Sequence, residues 1–263
     1  MSRMPVLFLG HGSPMNAIED NAWSRGWRAA GERLPRPTAI LMISAHWETR
    51  GLAVTASERP ETIHDFGGFP QALFDAQYPA PGSPDLARRV ADLLSPEPVV
   101  QHPTRGLDHG AWSVLAPMYP AADIPVVQLS LDRNRNRTAQ EHYDLGRKLA
   151  PLRDEGVLII GSGDIVHNLR AADFRKPEAP EWADRFNTTA KRLIETGEHG
   201  PLIDHAQLGE DAAQSINSEE HYLPLLYTLA LQGPDDTVSF FNDDVFAAIS
   251  MTSLALGAPE LAA

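Results

Sequence analysis

The nine residues Val6–Pro14, VLFLGHGSP, run four apolar side chains straight into a histidine held between two glycines. An apolar run of this length, bounded by glycine, reads as a strand buried on both faces. Ending it on Gly10-His11-Gly12 places an imidazole where backbone is tight and side-chain cover is thin. Taken alone, such a histidine is more often a hydrogen-bonded turn residue than part of a site. The pattern recurs. AILMISAHW (39–47) puts His46 just past a second apolar run, and VLIIGSGDIVHNL (157–169) puts His167 a few residues past a third. In open α/β sheets ligands bind outside the carboxyl ends of the strands. His11, His46 and His167 are therefore expected to converge in one crevice.

The rest of the chain agrees with an α/β fold. Short apolar runs alternate with amphipathic stretches. Strands are expected over Val6–Leu9, Ala39–Ser44, Leu52–Ala56, Ile124–Leu131, Val157–Ile160 and Val238–Phe241, with a last one within Ile249–Leu256. Ser83-Pro84 reads as an N-cap followed by proline at the first helical position, opening a helix through Leu86, Val90 and Leu93. Thr138–Leu149, Pro180–Ile194 and Glu219–Leu231 have helical spacing. The stretch Thr62–Gly82, rich in glycine, proline and aromatics, reads as a loop that covers a site. With no repeat or low-complexity linker, the expectation is a single domain over residues 1–263, its central, mostly parallel or mixed sheet flanked by helices.

Composition narrows the chemistry. The 263 residues carry 22 Lys+Arg against 35 Asp+Glu, a net charge of −13, which disfavours a nucleic-acid partner. No apolar run approaches the roughly 18 residues of a membrane span, and the N-terminal apolar run is too short for a secretory signal. A soluble, cytoplasmic protein is expected; a homo-oligomer is left open. Cysteine is absent, so disulfides, thiolate nucleophiles and cysteine-ligated metals are excluded. Any metal site must use histidine and carboxylate.

Two further histidines have a chemical context. His221 opens an apolar helix after Glu219 and Glu220, and His109 follows Asp108 at the start of a helix. Both also fit plain capping or core roles. His102, His142, His199 and His205 read as surface residues, and His64 is undecided. Imidazoles without cysteine suit Zn, Fe, Cu or Ni, whereas Mg and Ca prefer oxygen shells. No H-E-x-x-H, Walker A or G-x-S-x-G pattern is present, and GSGDIV at 161–166 lacks the third glycine of a dinucleotide fingerprint.

The blocks LFLGHGSPMNAIEDN, SAHWETRG, TIHDFGGFPQALFDAQYPAPGSP, LDHGAWSVLAPMYP, IPVVQLSLD, GSGDIVHNLR and EHYLPLLY together resemble the 4,5-DOPA extradiol dioxygenases, of the class III or LigB-like ring-cleavage dioxygenases. The resemblance covers nearly the whole chain and is loose between about 168 and 217. It implies opening of a catechol beside its two hydroxyls with insertion of both atoms of O₂, at one divalent ion. That ion would be non-haem Fe(II) for activity, with Zn(II) as the alternative bound metal. Carried over by motif, His11, His46 and His221 would be metal ligands. His167 would be a fourth ligand or the acid/base, and His109 would lie near substrate and O₂. The wider superfamily completes its site with a glutamate; here the matching region reads Glu219-Glu220-His221, and His221 is taken over Glu220.

Two other functions use the same residues: a zinc hydrolase with Glu220 as general base, and a LigB-like binding protein without catalysis. The resemblance also implies an aromatic loop, with Phe66, Phe69 and Tyr78, over the substrate ring. Arg50, Arg105 and Arg170 are candidates to hold a substrate carboxylate.

Overall fold

Along β1 (Val6–Gly10) successive side chains enter two different cores, Val6 and Phe8 on one face of the sheet and Leu7 and Leu9 on the other. The same two-residue alternation divides Leu41 and Ile43 from Ile40 and Met42, and Ile159 from Leu158 and Ile160. A sheet covered on both faces needs apolar residues at every position, which is why these strands read as unbroken apolar runs. The computed structural model describes residues 3–134, 137–176 and 178–261; the ends of the expected 1–263 domain lie outside them.

Nine more strands follow: β2 (Ala39–Thr49), β3 (Leu52–Thr55), β4 (Val99–His102), β5 (Val126–Asp132), β6 (Val157–Gly163), β7 (Val238–Phe241), β8 (Val245–Phe246), β9 (Ile249–Ser250) and β10 (Ser253–Leu256). Eight form one sheet in the order β4-β3-β5-β2-β6-β1-β10-β7, and β8 pairs with β9. The central four, β5, β2, β6 and β1, are parallel. β3 joins antiparallel to β5, and β10 antiparallel to β1. The carboxyl ends of β1, β2 and β6 therefore share one edge. Helices Ala22–Arg33 and His109–Met118 cover one face, through Trp27, Trp112 and Leu115. Helices Pro84–Leu94, Ala139–Lys148, Glu181–Glu195 and Leu223–Leu229 cover the other. The fold is the expected α/β architecture with a mixed sheet.

Local signals set several boundaries. Ser83 accepts from the Leu86 N–H with Pro84 at the first position, and Thr138 forms a capping box with Glu141. Other boundaries differ from expectation. β2 continues five residues past Ser44, to Thr49, and β6 three past Ile160, because Glu48 and Thr49 still pair with β5 and Gly161, Ser162 and Gly163 with β1. The regular part of Glu219–Leu231 is only Leu223–Leu229. Ile249–Leu256 splits into two strands about Met251-Thr252. β4 escapes the apolar pattern because it is a largely exposed edge. Helix Ala22–Arg33 buries little besides Trp27, Ala30 and Ser24, so its periodicity is faint. His142 is not a surface residue: it is buried, with Nδ1 3.1 Å from the Tyr227 hydroxyl, and burial lowers its pKa to about 4.

Arg153 ties the amino-terminal end of β1 to the chain's last third. It is 1% exposed and donates to Met4 O (2.7 Å), Leu231 O (2.8 Å) and both Asp236 oxygens. Arg153→Met strands these acceptors, and the protein is expected to lose about 3 kcal/mol of stability in chemical denaturation. A loss below about 1 kcal/mol would mean that water replaces the guanidinium.

Candidate metal centre

The histidine of GHG sits where the β1 edge meets the β9–β10 connection. A Cβ on Gly10 would lie 2.6 Å from backbone atoms of Ser250 and Met251, and one on Gly12, at φ +56°, would run into the Met251 sulfur. Both glycines are thus required by close packing, and together they turn the buried His11 toward the sheet edge. Its Nδ1 lies 3.0 Å from Ser162 Oγ on β6. Ser162 donates its own hydrogen to Gly110 O (2.6 Å), so its oxygen accepts from His11 Nδ1–H. That leaves a lone pair on His11 Nε2.

His46 lies inside β2 rather than past its end. From the pair Ile43–Leu129 to the pair Glu48–Leu131, β2 advances five residues while β5 advances two. This bulge brings the ring to the site, with Nε2 3.1 Å from His11 Nε2. His109 opens its helix behind Asp108, whose carboxylate accepts from the Ala111 N–H (3.1 Å) and the Ser44 hydroxyl (2.8 Å). The His109 ring centroid is 3.8 Å from that of His46.

His221 arrives from the turn before helix Leu223–Leu229, its ring centroid 4.9 Å from His46 and 5.3 Å from His11. Its Nδ1 is 3.1 Å from Glu220 Oε1, which also accepts from Ser218 Oγ at 2.8 Å. Burial opposes ionisation of Glu220, but the bonds from His221 and Ser218 outweigh it and hold the carboxyl down to about 2. An ionised Glu220 accepts from His221 Nδ1–H, again leaving Nε2 with the lone pair. His167 stacks on His221, centroids 3.5 Å apart and planes within 6°. Burial and the neighbouring His221 lower the His167 pKa to about 3.

All five histidines with a chemical context thus meet at one edge, but not equivalently. Ligand atoms of His11, His46 and His221 lie within 4.8 Å of one another; His167 groups instead with Asp164 and His221, and His109 with His46 and Asp65. Burial, then the neighbouring imidazoles, push His11 and His46 well below the usual histidine range, so both rings are neutral, the form in which an imidazole can ligate a metal. His11 Nε2 faces Asp164 Oδ2 at 3.5 Å. Two electron-rich atoms so placed repel unless a proton or cation lies between them. Ligands about 2.1 Å from one ion stand roughly 3.0–3.4 Å apart in octahedral to tetrahedral coordination. The 3.1 Å separation falls in that range and the 3.5 Å one just beyond its upper end, and the imidazole-rich donor set suits Fe(II) or Zn(II).

Asp65 and Asp164 carry no sequence motif and stood outside the expected site. Asp65 accepts from both His109 N (3.0 Å) and His109 Nδ1 (2.9 Å), which outweighs burial and lowers its pKa. It pins the 62–82 loop to the centre, as that loop's composition foreshadows. Phe66 packs edge-on to His109 (5.5 Å) and Phe69 (5.4 Å). Tyr78 has a different role: it is buried, and its hydroxyl donates to Tyr119 O at 3.1 Å, anchoring the loop from behind. His64 bonds Ala76 O through Nε2 (2.9 Å), a staple within the loop. Arg50 and Arg170 are exposed, whereas the Arg105 guanidinium lies 5.2 Å from the Trp47 ring. Glu220, held by His221 and Ser218, is not placed as a free general base.

Comparison with known proteins gives the site its context. The chain is 49% identical to "4,5-DOPA dioxygenase extradiol" of Escherichia coli K12, over 97% of this chain and 96% of that protein. It is 38% identical to the protein of the same name from Beta vulgaris, over 90% of each. The crystal structure of an uncharacterized protein from Escherichia coli K12 superposes with a TM-score of 0.85 at 43% identity, covering 97% of this chain and all of that one. Residues 5–253 match the family described as the catalytic LigB subunit of aromatic ring-opening dioxygenase. A non-haem metal enzyme that opens aromatic rings by extradiol cleavage accounts for the histidine cluster, and the chain belongs to the LigB family of these dioxygenases.

Proposed function

We propose that residues 1–263 act as one catalytic domain that cleaves a catechol bearing an amino-acid side chain, such as L-DOPA at its 4,5 bond, with O₂ and one Fe(II). The observation that carries this reading is the convergence of His11, His46 and His221 within ligand distance, flanked by His167 and His109. The relatives named for 4,5-DOPA support the substrate class. Among the described residues no helix is long and apolar enough to cross a membrane, in keeping with a cytoplasmic setting.

When bound to the three imidazoles, the ion supplies Lewis acidity toward the two catechol oxygens and the redox partner for O₂. The chain supplies the rest. Ser162 and Glu220 each take an Nδ1–H, fixing the His11 and His221 tautomers so that both Nε2 lone pairs are preorganised. His167, neutral and outside the three-histidine group, takes the proton of a catechol hydroxyl at a ring nitrogen and returns it as the ring opens. Asp65 takes the His109 Nδ1–H, so His109 Nε2 faces the reacting atoms. Phe66 and Phe69 wall the ring and exclude water.

The test is anaerobic reconstitution with Fe(II), then addition of O₂ with L-DOPA or simple catechols. A yellow ring-opened product with stoichiometric O₂ uptake, absent with Zn(II), is the expected result. No colour with any catechol despite a filled site would overturn the reading. Asp65→Asn keeps one acceptor for the His109 N–H but loses the charged hold on the ring. Its kcat/KM is expected to fall about 10-fold at unchanged metal content; an unchanged kcat/KM would make Asp65 a loop anchor alone.

A further inference from the structure

Asp164 is a carboxylate that nothing in the fold explains. It follows β6 directly and is 1% exposed. Its Oδ1 accepts from the Gly12 N–H at 3.1 Å. Its Oδ2 is buried and has no hydrogen-bond partner. An ionised oxygen left in that state costs several kcal/mol of desolvation. The same oxygen is 3.5 Å from His11 Nε2, and an Asp164 oxygen lies within 4.8 Å of ligand atoms of His167 and His221. Asp164 therefore faces His11 on one side and the His167–His221 pair on the other.

Three of the other acids near the cluster are already engaged. Glu220 is held by His221 and Ser218, Glu219 Oε1 lies 3.2 Å from His205 Nε2, and Asp65 accepts from His109. Three neutral imidazoles alone would leave a full double positive charge in a buried site. A carboxylate among the ligands halves it and favours the mixed histidine–carboxylate set that suits non-haem Fe(II).

We propose that Asp164 Oδ2 is the carboxylate ligand of this metal centre, completing the set begun by His11, His46 and His221. The inference rests on the reading of those histidines as a metal site. Gly12 N–H then acts as the outer bond that orients the ligating carboxylate.

The experiment titrates Co(II) and Zn(II) into metal-free wild type, Asp164→Asn, Asp164→Ala and His11→Ala, against a chelator of known affinity. Co(II) visible absorption reports coordination. Both Asp164 variants are expected to bind at least about 100-fold more weakly, with shifted Co(II) bands. The metal-free melting temperature of Asp164→Asn should equal or exceed wild type, because it keeps an acceptor for the Gly12 N–H and removes the charge on the unpartnered Oδ2; this separates lost ligation from lost fold. Unchanged affinity and spectrum in Asp164→Asn, with binding abolished in His11→Ala, overturns the Asp164 assignment and leaves the histidine site standing. Wild-type binding that His11→Ala does not weaken overturns both.

Discussion

Replacing His167 with alanine is expected to slow ring cleavage by about 10²–10⁴-fold while the protein keeps its full complement of metal. The expectation follows from where the ring lies. His11, His46 and His221 form one group of ligand atoms without His167, which reaches the cluster by stacking flat on His221 at 3.5 Å. A ring stacked face to face presents its nitrogens beside its neighbour's, so it can meet a proton on a molecule bound at the cluster without sharing the ion. Its backbone is held independently, by His167 N on Ser215 O (3.0 Å) and Asn168 N on Ala248 O (3.0 Å), so truncating the side chain leaves the turn in place. The measurement is metal content after dialysis beside steady-state rates, with added imidazole as a second readout. Partial rescue by imidazole is expected if the missing function is proton transfer. Loss of metal together with the side chain would make His167 a ligand instead.

How much of this was open to sequence reading depends on what each residue needs around it. His11 was legible because its setting is local: an apolar strand, then glycines that only a tight backbone requires. His46 was legible as a strand-end histidine, but the bulge that aims it was not. The five-against-two step of β2 past β5 depends on a partner strand some eighty residues away. His221 required the family resemblance, since Glu-Glu-His before an apolar helix is also ordinary capping. Asp65 and Asp164 were out of reach. An aspartate in a glycine-rich loop or after a strand looks like a solvated charge, and only the assembled sheet edge shows one pinned to His109 and the other buried with one oxygen unpartnered. His142 failed in the opposite direction. Mid-helix polar spacing suggested solvent, while packing against helix Leu223–Leu229 buries the ring beside Tyr227.

His11→Ala should have the largest effect of any single change, emptying the metal site and bringing ring cleavage to the level of the metal-free protein. His11 belongs to the three-histidine group, and its Nε2 also lies 3.1 Å from His46 Nε2 and 3.5 Å from Asp164 Oδ2. The close approach of the Ser250 and Met251 backbone to Gly10 fixes the turn that carries this position. Ser162→Ala is the graded counterpart. It removes the acceptor that fixes the His11 tautomer, together with the donor to Gly110 O, but leaves the His11 ring in place, and metal affinity is expected to fall about 10–100-fold while the site still fills at high metal concentration. The two variants separate donation from orientation: loss that excess Fe(II) cannot restore belongs to a ligand, and loss that it restores belongs to the partner holding that ligand. Full metal content in His11→Ala would place the ion elsewhere. In that case the Ser162–His11 pair would be a structural bond between β6 and the turn after β1.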